Sequence, residues 1–194
     1  MITFFSDQHA LHAPEYEFFR GERVPCFESP QRASFVQQTL LARGHELRSP
    51  NVDSRSVLAQ VHTPRYLAFL QSAWGQWLAS DPANATRQPF PSVWPVRSLR
   101  SDVEPANFTA KLGLYSMDNG SPMVAGTWAA AKTGANAAVS AAALLGLSDK
   151  SGAKTGEQGV FCATRPPGHH AGADFMGGYC FINNAAVADR QSVV

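Results

Sequence analysis

The chain has 194 residues, of which 44% are hydrophobic and 16% are charged. These proportions are typical of globular proteins, and they exclude wholesale disorder, collagen and coiled coil. Lysine and arginine total 16 and aspartate and glutamate total 15, so the net charge of +1 provides no overall field to attract nucleic acid or an anionic membrane. We therefore expect neither nucleic acid nor membrane as a partner.

The cysteine pattern and the first residues indicate the compartment. Cys26, Cys162 and Cys180 are odd in number and far apart, which argues against a disulfide framework and against a zinc site built from cysteine pairs. The first ten residues contain no basic cluster followed by a long apolar run, so we expect no secretory signal. Residues 128–147 are interrupted by polar side chains and are interpreted as a buried soluble helix. The expected location is the cytoplasm.

The first predicted elements are a strand and a helix. Residues 2–5 form a short apolar run that is consistent with a buried first strand. Ser29 followed by Pro30 is typical of a helix start, with an N-cap and a proline at the first helical position. Apolar residues then recur at helical spacing until Gly44, where we expect the helix to end.

A second helix start lies at Thr63 and Pro64. The residues that follow it include an apolar stripe at helical spacing, formed by Leu67, Leu70, Trp74, Trp77 and Leu78. Such a stripe most often packs in a core, and we expect that role for the tryptophans.

Residues 81–108 contain five prolines and show no sustained periodicity, which predicts a long irregular insertion. Loops of this length inside a compact domain commonly serve binding, act as lids or form subunit contacts. A homodimer formed through this Pro-rich loop is therefore one expectation. The alternative is a disordered linker between two domains, against which Phe90 and Trp94 argue.

A long helix is predicted after Thr127, ending at Gly146, with small residues along its length. The polar residues 147–158 suit a surface connection. Residues 160–163 form an apolar run without polar alternation, which is typical of a parallel strand covered on both faces. Strand, crossover helix and strand together predict an α/β fold, with a parallel sheet and helices on both faces. Ligands in such folds bind beyond the carboxyl ends of the strands.

The segment after this strand carries the chemistry. Residues 165–170 read Arg-Pro-Pro-Gly-His-His, and the paired prolines and nearby glycines predict a stiff, shaped loop. Imidazole titrates near neutral pH, so His169 and His170 aimed at one cleft can share the transfer of a proton from water to a leaving group. The alternative is that tandem histidines are only surface residues or incidental metal ligands.

Residues 165–170 and the Gly-Gly-Tyr-Cys-Phe-Ile-Asn-Asn-Ala-Ala run at 177–186 resemble the signature of the arginase-like zinc deacetylases. That family includes histone deacetylases and acetylpolyamine amidohydrolases, and the likeness is greatest to the amidohydrolases. Residues 25–32 and 61–70 resemble two further family segments, so the resemblance spans essentially the whole chain. It implies a three-layer, arginase-like fold and hydrolysis of an acetyl-amide, in which Zn²⁺ polarises the carbonyl and activates water.

The resemblance also implies roles for individual residues. His170 would be the general base and acid, and His169 would be its electrostatic partner. Each imidazole would be held in orientation by a further group, commonly a carboxylate. Gly178 would offer its carbonyl near the substrate amide, and Tyr179 would line a narrow tunnel around the acylated side chain.

Acidic residues near the start of the chain bear on the substrate. Residues 1–28 hold five acidic and two basic side chains, so this end is selectively acidic. Glu17 matches a polyamine-contacting acidic position of the amidohydrolases, and Asp118 is the nearest substitute for a second one. The expected partner is a small cationic acetylated amine, which carboxylates at the site mouth would attract.

The family's zinc ligands and its catalytic tyrosine fall beyond residue 194 by the resemblance, so we assign no metal ligand in this chain. His9 and His12 lack a third partner at a suitable spacing, and His45 and His62 are isolated in the sequence. Zinc is thus implied by the family, but its ligands are expected to lie outside this polypeptide.

Residues 1–194 are accordingly expected to be the N-terminal portion of a single deacetylase domain, with an inserted loop at 81–108, incomplete and inactive alone. The alternative is a non-catalytic binding or subunit-contact module derived from the family. A third hypothesis is a cysteine hydrolase that pairs Cys162 or Cys180 with one of the tandem histidines.

Overall fold

The computed structural model describes residues 1–96, 98, 100–146 and 159–192. Its central feature is a three-stranded parallel sheet in the order β4–β1–β5, formed by β1 (Ile2–Phe4), β4 (Glu46–Arg48) and β5 (Val160–Cys162). In its register, Thr3 lies opposite Leu47 on one side and Phe161 on the other. The predicted strands at residues 2–5 and 160–163 are therefore confirmed.

A separate antiparallel hairpin is formed by β2 (Tyr16–Phe19) and β3 (Glu22–Pro25). The two residues that connect them, Arg20 and Gly21, both have positive φ, at 52° and 85°. Two such residues in succession are typical of tight hairpin turns, and glycine adopts that conformation without a steric penalty.

The described residues form six helices: α1 (Pro30–Ala42), α2 (Arg55–Val61), α3 (Pro64–Ser80), α4 (Phe108–Leu114), α5 (Thr127–Gly146) and α6 (Asn184–Ser192). The starts predicted at Pro30 and Pro64 and the end predicted at Gly146 are confirmed. Thr63 caps α3, since its hydroxyl accepts a hydrogen bond from the Tyr66 N–H. Ser29 precedes α1 in an extended conformation, but its side chain makes no capping hydrogen bond.

Helix α5 covers one face of the sheet, where Ile2 and Phe4 pack against Ala137 and Ala141. The other face carries Phe161, which lines a cavity together with residues of α1. The sheet therefore has helices on both faces, as predicted. The expectation that the strand at 160–163 is fully covered is wrong for Phe161, which is 40% exposed because its side chain borders that open cavity.

A larger core joins α2, α3, α4 and α5 to the segment after β5. On α3 the buried residues are Tyr66, Phe69, Leu70 and Ala73. The predicted stripe meets this core in part: Leu70 is buried, and Leu67 and Trp77 pack against it. Leu78 is exposed near the end of the helix.

The predicted irregular insertion begins with a 3₁₀ helix, Pro82–Thr86, and has no further regular element before α4 among its described residues. Its first part packs on the hairpin, because the Phe90 ring lies 5.5 Å from Tyr16 and 4.9 Å from Phe18. That packing argues against a disordered linker. The connection predicted at 147–158 lies outside the described residues. No described helix is long and apolar enough to cross a membrane.

Candidate active site

The loop after β5 places the tandem histidines at the surface of a cavity. His169 and His170 are both exposed, and their ring centroids are 4.3 Å apart. Both line an open cavity of about 510 Å³, which Gly178 and Tyr179 also line. The structure thus brings together four of the predicted site residues beyond the carboxyl end of a parallel strand, where α/β folds commonly bind ligands.

Gly178 lies directly against His170. A Cβ atom at position 178 would be 2.5 Å from the His170 Cδ2 atom, and the glycine has a φ of 52°. Its N–H donates to the Asp118 carboxylate, at 3.0 Å from Oδ2 and 3.2 Å from Oδ1. The Cys180 thiol reaches the Gly178 carbonyl oxygen at 3.4 Å. Only glycine fits between the turn and the histidine ring.

Tyr179 is fixed at its backbone and at its hydroxyl. Its N–H donates to the Gly120 carbonyl at 2.9 Å, and its hydroxyl donates to Glu17 Oε1 at 2.8 Å. The other Glu17 oxygen accepts from the Phe27 N–H at 3.1 Å. Burial and the hydrogen bond to Glu17 raise the pKa of Tyr179, so the phenol stays a donor near neutral pH.

Two acidic residues were predicted to bind substrate. Both lie behind residues that line the cavity and hold them in place. The Glu17 side chain is buried and holds the Tyr179 hydroxyl, while Asp118 holds the Gly178 N–H. Direct contact of either carboxylate with a cationic amine stays a prediction.

Arg165 supports the histidine loop, and sequence reasoning gave it no role. Its side chain is 3% exposed, and its guanidinium Nε lies 3.0 Å from Glu28 Oε1 and 2.8 Å from Oε2. It also donates to the carbonyl oxygens of Glu28, His9 and His12. Burial raises the pKa of the Glu28 carboxyl, and the charge of Arg165 offsets part of that effect. The signal in the sequence that could have indicated this role is the position of Arg165, a charged residue inside a strongly apolar and glycine-rich motif.

His62, isolated in the sequence, braces the same segment. Its Nε2 accepts from the Asn183 N–H at 3.0 Å, so its Nδ1 carries the proton that is donated to the Gly172 carbonyl at 2.8 Å. Burial lowers the pKa of His62, which favours this neutral form. The imidazole ties together two parts of the loop that are eleven residues apart in the chain.

The cysteines lack the features of a nucleophile. Burial raises the pKa of Cys162 to about 11 and also raises that of Cys180. A catalytic thiol needs the opposite shift, because the thiolate is the reactive form. The cysteine hydrolase hypothesis therefore gains no support.

A ligand set for a metal is not found in the part of the chain that the structure describes. No group of three or more His, Cys, Asp or Glu side chains there could hold a metal ion. The described residues therefore do not by themselves fit the zinc that the resemblance implies.

The family model of the histone deacetylase domain matches residues 26–192, which is most of the chain. This chain belongs to the histone deacetylase family. The match covers the histidine loop, the Gly178 turn and the helices that support them. The family predicted from the residues is thus confirmed.

Curated relatives in this family are acetylpolyamine amidohydrolases. Acetylpolyamine amidohydrolase 2 of Pseudomonas aeruginosa is 43% identical over 97% of this chain and 52% of its own length. The Mycoplana ramosa acetylpolyamine amidohydrolase is 34% identical over 98% of this chain and 53% of its own length. The chain spans about half the length of the curated relatives it matches.

Solved structures agree on the fold. The acetylpolyamine aminohydrolase of Burkholderia pseudomallei superimposes with a TM-score of 0.83 at 29% identity, over 97% of this chain and 51% of that protein. The HDA15 HD domain superimposes with a TM-score of 0.66 at 19% identity, over 99% of this chain and 42% of that one, which supports the fold alone. The predicted deacetylase-type α/β fold is confirmed.

Proposed function

We propose that this chain forms the histidine-bearing part of a deacetylase site that hydrolyses the acetyl-amide of a small cationic amine. One observation carries the proposal: the two imidazole rings lie side by side, 4.3 Å apart, on the wall of an open cavity. The curated relatives, which are named acetylpolyamine amidohydrolases, support the substrate class.

The proton chemistry is assigned to the histidines. His170 accepts a proton from the attacking water and returns it to the amine as the carbon–nitrogen bond breaks. His169 lies beside it and stabilises the charge that His170 acquires transiently. Such general acid–base catalysis contributes about 10²–10⁴-fold to the rate.

The rest of the cavity orients the acyl group. Gly178 brings main chain close to His170, so its carbonyl can accept a hydrogen bond from the substrate amide. The Tyr179 ring forms an apolar wall for the aliphatic part of the amine. The acidic excess over residues 1–28 favours a cationic amine over a neutral one.

A complete site needs groups beyond those that the structure describes. The family implies a bound Zn²⁺, and the described residues do not supply its ligands. We therefore place those ligands in residues that correspond to the remaining half of the curated relatives, and we expect the 194-residue chain to be inactive alone.

The test is acetate release from N-acetylputrescine. Two proteins are compared at equal zinc concentration: the 194-residue chain, and a chimera in which this chain is continued by the second half of the Pseudomonas aeruginosa amidohydrolase. We expect release by the chimera only. Turnover by the chain alone would contradict the assignment of essential groups elsewhere. A folded chimera without turnover would favour the non-catalytic module.

A further inference from the structure

Glu17 is committed to contacts within the protein. Its side chain is 5% exposed, and one oxygen accepts from the Tyr179 hydroxyl at 2.8 Å while the other accepts from the Phe27 N–H at 3.1 Å. Glu17 does not appear among the described residues that line the cavity, whereas Tyr179 does. A cation in the cavity therefore meets the Tyr179 ring, with the carboxylate lying behind it.

Tyr179 is a residue that requires fixing. Its φ of 66° lies in the left-handed region, which a bulky aromatic residue rarely adopts. Such a conformation persists only where several contacts determine it together. Here they are the hydrogen bond from the Tyr179 N–H to Gly120, the bond from Gly178 to Asp118, and the bond from the phenol to Glu17.

These contacts differ in what they control. The bonds to Gly120 and Asp118 hold the backbone, which leaves the ring free to rotate about its side-chain torsions. Within the described residues, Glu17 is the one that binds the far end of the ring. A hydrogen bond to a charged acceptor is stronger than one between neutral groups, so it can select one orientation of an otherwise mobile side chain.

We propose that Glu17 is a positioning residue that fixes the Tyr179 ring on the cavity wall, and that it acts on the substrate through that ring rather than by direct ion pairing. This inference rests on the proposed function only for the nature of the substrate. Selection of the amine then depends on the width of the cavity beside Tyr179. The Glu17 carboxylate serves to accept the hydrogen bond from the phenol.

The test uses nuclear magnetic resonance on the full chain with ¹³C-labelled tyrosine and glutamate. In Glu17→Ala we expect the Tyr179 side chain to spread over more than one χ1 rotamer, because loss of the bond to the hydroxyl frees the far end of the ring. The three-bond couplings between its Hα and Hβ atoms then shift towards rotamer-averaged values. In Glu17→Gln an amide oxygen can still accept, so the couplings stay near those of the parent chain. Glu22→Gln is the matched control, as Glu22 is an exposed carboxylate of the same hairpin.

Two further measurements cover other outcomes. If Glu17→Ala does not fold, Tyr179→Phe removes the same hydrogen bond from the other side and is expected to mobilise the ring at position 179 equally. Titration with putrescine is expected to leave the Glu17 carboxyl signal unchanged. A single χ1 rotamer at Tyr179 that survives loss of the hydrogen bond, or a putrescine-dependent shift at Glu17 larger than that at Tyr179, would overturn the proposal. None of these readouts depends on acetate release.

Discussion

His170 and Gly178 are in van der Waals contact, and the fit between them depends on a missing side chain. A Cβ on residue 178 would lie 2.5 Å from the His170 ring, and the backbone φ of 52° disfavours any residue but glycine. The position of the proposed general base is therefore coupled to the conformation of a turn that Asp118 holds.

The Gly178→Ala substitution tests this coupling. We expect a loss of about 1–3 kcal/mol in the free energy of unfolding, because the methyl group displaces the ring or the turn and the backbone is strained. Urea unfolding measures it. Gly75→Ala is the control: Gly75 lies on α3 with open space around its Cβ position, and there alanine should be neutral or stabilising by up to about 1 kcal/mol. Equal effects at the two sites would contradict the packing argument.

His12 predicts a pH dependence of stability. Burial, followed by the charge of Arg165, lowers its pKa to about 3 from an ordinary value of 6.5, and its Nδ1 lies 2.9 Å from the Thr127 hydroxyl. Between about pH 3 and pH 6.5, His12 binds a proton in the unfolded chain but not in the folded chain. Stability therefore falls as the pH drops below 6.5.

The change in the free energy of unfolding with pH can be measured by urea unfolding at pH 7.5 and 5.5. We expect His12 to contribute a loss of about 1.4 kcal/mol at pH 5.5. In His12→Asn the amide can occupy the position of Nδ1 without titrating, so the difference between the two pH values should shrink by that amount. An unchanged difference would show that His12 is already protonated in the folded chain.

At the scale of elements, the loop between β5 and α6 has little regular structure and is held by side chains from distant helices. His62, at the end of α2, binds both Gly172 and Asn183, and the Tyr66 hydroxyl of α3 binds the Phe181 carbonyl at 2.8 Å. The shape of the candidate site thus depends on α2 and α3 as much as on its own prolines and glycines.

Removal of the His62 ring is expected to loosen this loop while leaving the sheet intact. In His62→Ala the Asn183 N–H loses its acceptor, so its hydrogen exchange should accelerate at least about tenfold, whereas amides of β1 should be unaffected. Gln60→Ala, an exposed change on the same helix, should leave both sets of amides unchanged. Protection at Asn183 that survives in His62→Ala would show that the loop is held by its own residues.

The regular elements and the histidine loop could be predicted from local patterns in the sequence. The long-range hydrogen bonds that hold the site in shape could not. Proline at a helix start predicted α1 and α3, and an apolar run predicted β5, because those signals act over a few residues. The contact between Glu17 and Tyr179 joins residues 162 positions apart. No periodicity or spacing encodes such a pair, and the role in substrate contact that the family resemblance implies for Glu17 stays a prediction.

At the scale of the whole molecule, Arg165 connects the site to the start of the chain. Its guanidinium binds Glu28 just before α1 and the carbonyls of His9 and His12, which lie within and just after a 3₁₀ helix at Asp7–Leu11. Both charged side chains are buried, at 3% and 5% exposure. A buried charge that loses its partner is costly, so these segments are expected to unfold together.

The buried pair can be separated by a double-mutant cycle. Arg165→Met alone should lower the free energy of unfolding by about 3–5 kcal/mol, since it leaves the Glu28 carboxylate buried and unpaired. Adding Glu28→Leu should recover part of that loss in urea unfolding. A double variant less stable than either single variant would contradict a cost that comes from the unpaired charge.

The proposed function depends most on the assignment of proton transfer to the tandem histidines. The direct measurement is kcat for acetate release by the chimera and its His170→Ala variant, with Phe35→Ala on the exposed side of α1 as the control. We predict that His170→Ala lowers kcat by about 10²-fold or more and that Phe35→Ala leaves it unchanged. A His170→Ala chimera that turns over at the parent rate would contradict the assignment.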